Sequence, residues 1–471
     1  MRVRHFGNTA NNAFHNVLLL RRYGGTESDL PIRMFGLHHA ISAPAWEVVD
    51  FEVPSAAWVA QPDWTSYPEA VSVNSEYADL ELPSKEGEAS HEPVGRGDAV
   101  TRITAAVRSR LFGPLRGKWW SQPIVDARDR QILGRRSVLR EVDDAINLLY
   151  GSGSLFVSQL PNPSPHTVCL EHGTIRWIAD GNREEKAFRQ AYRRQVAQAM
   201  HVWVTNLDPR TLEIAEDVAP GRWSALPHPF MPDSRVPLPG SASRRNELLR
   251  QTRSESLVLL PSSQNWSKHH DKGSIKALSA FVELRRAGVD VGLVAVEWGL
   301  QLEESKVFLD EAGVGANVVW VPPMARFGLQ RMMANVDVVW DQFGLDAFGA
   351  LALRAVEQGT PLVSRGLAAA GEQLIGGPVP WHPAATTEEI VRETTAVLEE
   401  MGRRGRDTVI EETRARYRSW LLERHSPALT ATLQHDVYAR IIDGTFEQGT
   451  AAPNQWATLL ANQAIDEGRK F

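Results

Sequence analysis

The stretch that most constrains the fold is Val336–Ser364, VDVVWDQFGLDAFGALALRAVEQGTPLVS. Val336–Trp340 is a short apolar, β-branched run of the kind that makes a buried strand. Asp341–Phe348 reads as a loop holding Gly344 and two aspartates, Asp341 and Asp346. Gly349–Gln358 has helical spacing, apolar at Leu351, Leu353 and Val356, and Gly359 is placed to cap it. Pro361 opens a second apolar run, Leu362 and Val363. Strand, loop, helix and strand make a βαβ unit, which requires a parallel sheet. In such sheets ligands bind beyond the carboxyl ends of the strands, where helix N-termini attract phosphate. The loop Asp341–Phe348, with the helix start at Phe348–Gly349, is therefore where chemistry is expected.

The same alternation runs through the chain. Arg2–Phe6 is a first strand leading into Gly7-Asn8-Thr9-Ala10-Asn11-Asn12, and a helix follows to about Arg22. Small residues there let a ligand reach backbone N–H groups, although a tight turn capped by asparagines has the same composition. Pro31–Leu37, Ala145–Tyr150, His166–Leu170, His201–Asn206 and Trp223–Pro229 read as further strands, and the proline-rich Pro232–Ser243 as a linker. After it come strands at Ser256–Leu260, Val291–Val296 and Asn317–Val321, and a small one at Pro378–Trp381. Helices are expected from Lys272-Gly273, over Leu329–Ala334, over Thr387–Arg403, and over Asp407–Leu433 with a break at Pro427. Two α/β halves follow from this pattern.

Composition narrows the function classes. A net charge of −6 gives no global attraction to nucleic acid or anionic membrane. A single cysteine, Cys169, excludes an internal disulfide and fits a reducing compartment. Neither a signal-peptide core nor a run long enough for a membrane span is visible, so an intracellular, cytoplasmic protein is expected. Arg102–Trp120 is basic and amphipathic with aromatics, readable as an ordinary surface helix or as peripheral contact at the inner membrane face. The pair His38-His39 has no third ligand nearby, and Ser84–Gly97 reads as a loop. Lys272 stands at a helix N-terminus, against the helix dipole, and is better explained by an anionic ligand.

These residues also carry a family resemblance. D-Q-F at Asp341–Phe343, F-G at Phe348–Gly349 and A-x-x-x-G-T-P-L-V at Ala355–Val363 resemble the donor-binding signature of retaining GT-B glycosyltransferases, in particular glycosyltransferase family 4. Glu171–Arg176, E-H-G-T-I-R, resembles a motif of the subgroup with D-Q-F, which implies that His172 lies beside the transferred sugar and its acceptor. The loop with Gly7, Asn8 and Asn12 resembles the family's N-terminal loop, which faces the donor, and W-S-A-L-P-H-P at Trp223–Pro229 resembles the last strand of its first domain. The family has two glutamates with seven residues between them; by register these fall on Asp346 and Arg354. The resemblance thus implies Asp346 on sugar hydroxyls and Arg354 where a carboxylate would hold the ribose. Arg354 could instead pair with Glu357 one turn on, or bind an extra anionic group on an unusual donor. The family's diphosphate clamp, an arginine and a lysine, falls on Trp266 and Lys272, with Lys268 as the nearest cation and Lys306 as a further one. Pro323, just past the strand ending at Val321, stands where backbone reads the nucleotide base.

The implied architecture is α/β, GT-B, with two Rossmann-like domains facing each other across a cleft. Residues 1–235 would form the acceptor-side domain and 244–415 the donor-binding domain, with helices from about 416–471 packing back on the first. The implied activity is retaining, hexosyltransferase-like transfer from a nucleotide-diphosphate sugar to a small-molecule, lipid-linked or polysaccharide acceptor. No cofactor, metal or nucleic acid is expected. His172, Asp346 and Lys272 would be catalytic; Asp341, Phe348 and Gly349 would join the donor site. A non-catalytic GT-B binding protein and a sugar-nucleotide epimerase are the alternatives.

Overall fold

The computed structural model describes residues 1–7, 12–25, 27–33, 44–47, 145–151, 166–180, 186–266, 272–447 and 453–460. Asn8, Lys268, His38-His39, residues 50–100 and Arg102–Trp120 lie outside the described residues.

The first sheet is built from β1 (Arg2–Phe6), β2 (Glu27–Arg33), β3 (Ala145–Tyr150), β4 (Thr167–Glu171), β5 (His201–Val204) and β6 (Trp223–Ala225), in the order β2-β1-β3-β4-β5-β6. Every neighbouring pair is parallel. Helices α1 (Asn12–Tyr23), α2 (Lys186–Gln198) and α3 (Pro209–Val218) connect its strands. Strands β3, β4 and β5 are buried at every position, as expected of a parallel sheet covered on both faces.

The second sheet contains β7 (Ser256–Leu260), β8 (Val291–Val296), β9 (Val318–Val321), β10 (Val338–Trp340), β11 (Leu362–Ser364) and β12 (His382–Pro383). Their order is β12-β11-β10-β7-β8-β9, again parallel throughout. Between the sheets runs α4 (Ala242–Thr252); α5 (Ser274–Arg286), α6 (Leu302–Glu311), α7 (Arg326–Asn335) and α8 (Ala350–Gln358) follow in the second half. Gly359, at φ 80°, ends α8 as the sequence indicates. Short α9 (Ala369–Leu374) is followed by α10 (Thr387–Arg404), α11 (Arg406–Arg424) and α12 (Pro427–Ile442).

Helix α12 lies against α1. The side-chain amides of Asn16 and Gln434 exchange two hydrogen bonds of 2.8 Å, and Asn16 also donates to the Tyr150 hydroxyl at 2.9 Å. The last long helix among the described residues is thereby joined to the first sheet. Among the described residues no helix is long and apolar enough to cross a membrane.

Several elements differ from the sequence reading. The second strand is Glu27–Arg33 and carries Pro31 inside it; β2 is the sheet's edge, where a missing N–H is tolerated. The proline-rich linker is shorter than expected, because α4 begins at Ala242, capped by the Ser241 side chain. The last small strand is His382–Pro383 rather than Pro378–Trp381, since Pro378 and Pro380 cannot donate to a ladder.

Each sheet has a switch point, where connections leave in opposite directions: between β1 and β3 in the first, and between β7 and β10 in the second. Gly7 ends β1 at one, and Asp341 follows β10 at the other. Ligand sites in such sheets form beyond the strand ends at these points.

Candidate active site

At the second switch point, the loops after β7 and β10 are tied together. The Ser262 hydroxyl donates to the Asp341 carbonyl at 3.1 Å and lies 3.2 Å from its carboxylate. The Lys272 carbonyl accepts from the backbone of Phe343 at 2.7 Å and of Gly344 at 3.2 Å. This close approach dictates Gly273, which has φ 76° and whose added Cβ would lie 2.6 Å from the Phe343 carbonyl carbon. The fold therefore holds Lys272 at the start of α5, directly over the Asp341–Phe348 loop. Its ammonium donates to Gln342 at 3.2 Å and its side chain remains exposed. Enclosure by protein lowers its pKa, Asp341 opposes this, and Arg176 of the first domain adds to it; solvent access limits the size of the effect. Asp341 is 7% exposed, and burial raises its carboxyl to about 6 against the pull of Lys272.

Gln342, which holds the Lys272 ammonium, also donates to the Ala347 carbonyl, so the lysine is tied to the loop that leads into helix α8. Among the described residues its N-cap, Gly349, receives no side-chain cap, and a Cβ added there would meet no atom within 4 Å. A helix N-terminus with uncapped amides and open space before it can accept an anion. The side chain of Phe348 points elsewhere, into an aromatic cluster with Trp381, Trp420 and His425, at centroid distances of 5.2, 6.0 and 5.8 Å. Asp346 is ion-paired with Arg365 at 2.5 Å. Arg365 follows β11 at a strand's carboxyl end, a position the sequence marked as significant only for other strands.

In the first domain the end of β4 presents Glu171, His172 and Gly173. His172 Nδ1 is 2.8 Å from the Thr205 hydroxyl, which itself donates to the Glu171 carbonyl at 3.2 Å. With that hydroxyl proton committed, Nδ1 must carry the donated proton, so Nε2 is the unprotonated nitrogen. Among the described residues Nε2 has no hydrogen-bond partner. Burial lowers the imidazole to about 3, so the ring is neutral at physiological pH. It stacks 6.1 Å from Tyr150 and meets His228 edge-on at 5.3 Å. Gly173 turns the chain at φ 93°, where an added Cβ would lie 2.5 Å from the Asn206 amide nitrogen. Beneath the turn, Glu171 is fully buried and accepts from Tyr192 and, at 3.1 Å, from Thr174. Burial raises its carboxyl to about 8, with those hydrogen bonds opposing.

The remaining expected residues are spread more widely. Gly7 (φ 86°) and Asn12, 3% exposed, flank the first switch point. Pro323 is buried just past β9. Lys306 pairs with Glu297 at 3.1 Å and Glu303 at 3.3 Å and lies over the Trp320 ring. Arg354, 5% exposed, is held by Glu357 of its own helix at 3.4 Å and by Glu47 of the first domain at 2.7 Å. Glu47, on a 3₁₀ turn at Pro44–Glu47, gave no sequence signal. Lys272, Asp341, Asp346 and the α8 N-terminus share one loop system, and Arg176 acts on Lys272 from the His172 side. Among the described residues no cluster of three or more His, Cys, Asp or Glu is placed to hold a metal.

No protein-family model matches the chain, and no curated protein matches it in sequence. Solved structures do. Anabaena HepE, in complex with UDP and glucose, superposes with a TM-score of 0.53 at 12% identity over 93% of this chain and 99% of that one. A glycosyltransferase from Rickettsia africae gives 0.51 at 10% identity over 94% and 98%. The fold is GT-B. Both matches run nearly end to end, so the two parallel sheets correspond to the two Rossmann-like domains of that architecture.

Proposed function

We propose that the protein is a glycosyltransferase that takes a sugar from a nucleotide-diphosphate donor and delivers it, with retention of anomeric configuration, to a carbohydrate-type acceptor. The observation that carries this reading is the pairing of Lys272 with the open N-terminus of α8 across one loop. Sugar transfer leaves negative charge on the departing diphosphate, and a cation and helix dipole fixed in advance stabilise that charge most. In this reading the diphosphate lies between Lys272 and Gly349, and these groups supply the positive charge without a metal. Asp346, steadied by Arg365, receives hydroxyls of the donor sugar. His172 Nε2, an acceptor without a partner among the described residues, takes a hydroxyl of the sugar or acceptor. The GT-B fold and a structural neighbour that binds UDP and glucose support this assignment.

A specific observation favours a second reading. Arg354 and Asp346 are both neutralised within the protein, by Glu47 and Arg365, which suits a GT-B protein that binds a partner without turnover. A thermal-shift panel of UDP, GDP, dTDP, ADP and CDP with their sugar conjugates separates the two. A ligand that binds the native state raises Tm by mass action, by about 2.7 kcal/mol of stability at a hundredfold excess over Kd. A shift with one nucleotide, abolished in Lys272→Ala, is expected of the transferase. Silence across the panel supports the binding protein.

A further inference from the structure

Glu47 and Arg354 come from opposite domains and meet in a closed ionic cluster. Arg354 Nη2 donates to Glu47 Oε2 at 2.7 Å and lies 2.8 Å from His15 Nε2. His15 is itself 3.1 Å from Glu47, and Arg326 Nη1 approaches the same carboxylate at 3.9 Å. On the other side, Glu357 accepts from Arg326 at 3.1 Å, from Gln330 at 2.6 Å and from the Asp233 backbone at 2.7 Å. The Arg354 guanidinium also covers the Phe230 ring at 4.6 Å. The side chains of His15, Glu47, Arg326, Arg354 and Glu357 are only 4, 10, 6, 6 and 5% exposed.

Two guanidinium and two carboxylate groups balance, and burial keeps His15 neutral by lowering its pKa. Such a cluster is poor evidence for stability, because desolvating four charges offsets their attraction, and apolar residues of similar size commonly do as well. What it provides is direction. A planar guanidinium between two carboxylates fixes both distance and angle, as a hydrophobic contact does not. Arg354 is five residues into α8 from Gly349, so the cluster and the anion-accepting end lie about 7.5 Å apart on one rigid rod.

We propose that Glu47 and Arg354 are positioning residues: their cross-domain ion pair sets the N-terminus of α8 at its working distance from the His172 turn before any donor arrives. A bound donor then already stands at that distance from the His172 turn, rather than reaching it only after binding. This rests on the transferase reading for its catalytic consequence, but the positioning itself is read without activity.

The test compares wild type with Glu47→Gln, Glu47→Leu/Arg354→Met and the swap Glu47→Arg/Arg354→Glu. Ligand-free small-angle scattering and hydrogen exchange of α8 are the first readouts. Wild type should show one compact particle with α8 protected. Glu47→Gln should enlarge the radius of gyration and speed exchange in α8 while Lys272 still binds nucleoside diphosphate within about threefold of wild type, since that site is built within one domain. The apolar pair should keep the fold but retain the loosened scattering; the swap should restore the compact profile. Where turnover is measurable, Glu47→Gln should lower kcat by about 10²-fold, the effect of a displacement near 1 Å, with donor KM little changed. Unchanged scattering and exchange in both Glu47→Gln and the apolar pair would overturn the proposal whether or not the protein transfers sugar. An absence of transferase activity with those changes present would instead count against the functional reading alone.

Discussion

The two faces of the site are built on different physical terms. On the first domain the end of β4 offers uncharged groups: a neutral imidazole bonded to a hydroxyl and packed on aromatic rings, above a glutamate whose carboxyl burial raises to about 8. On the second, Lys272 is exposed and, among the described residues, the N-terminus of α8 carries no side-chain cap. In the proposed reading, Lys272 and the α8 N-terminus offer charge where a diphosphate would depart, with Arg176 reaching it from the first domain, and the His172 side offers shape and hydrogen bonding where a neutral sugar would sit. A GT-B protein thus divides electrostatics and recognition between its halves, so damage to each half should read out differently.

The largest expected break in this contrast is Lys272→Ala. Removing one preorganised charge from a leaving-group site lowers kcat by about 10²–10³-fold. Because the side chain is exposed, Tm should stay near wild type. Steady-state kinetics beside calorimetry check this; a large drop in Tm with unchanged kcat would make Lys272 a structural residue.

The two turn glycines sharpen the contrast at the level of backbone. Gly273→Ala forces a Cβ onto the backbone of Phe343 and Gly344, which cannot yield without displacing the Asp341–Phe348 loop, and should cost about 2 kcal/mol or more. Gly173→Ala meets a side-chain amide of Asn206 that can rotate away, and should cost about 1 kcal/mol, mostly the left-handed strain. Equal losses in chemical denaturation would show the two turns to be equally rigid.

A pH-dependent effect lies under the His172 face. Glu171 is raised from its ordinary 4.5 to about 8, so between those values the folded protein holds a proton that the unfolded chain releases. Its contribution is complete below about pH 4.5 and is lost as pH rises through about 8. Glu171→Gln mimics the protonated acid, so the difference in Tm between wild type and variant should shift against wild type from pH 5 to pH 8. A constant difference would mean that the carboxyl is ionised in the fold.

Much of this was legible in the residues. Strands β3, β7 and β8 fall on the apolar runs as read, and the strand-loop-helix-strand at Val336–Ser364 with its Gly359 stop is nearly as written. Period and punctuation are local, and local signals survive folding. Helix α4 escaped because its apolar stripe is thin: only Leu248 and Thr252 are buried in a segment rich in arginine. The partners of the site residues escaped for another reason. Glu47 is separated by 307 positions from Arg354, and a charge-bearing residue carries no mark of what it will meet. The pairing of Asp346 with Arg365 spans 19 residues and two elements, and only the parallel register of β10 and β11 brings it about.

The mutual amide pair of Asn16 and Gln434, 418 residues apart, bears on the order in which the molecule can be completed. During synthesis the first sheet emerges long before α12 does, and until then Asn16 lacks the Gln434 amide that engages it in the finished protein. The contact between α1 and α12 can therefore form only once α12 has left the ribosome. A fragment ending at the linker would carry a buried amide with its main partner missing, and recombining the two halves as separate chains would have to restore that partner from the other piece.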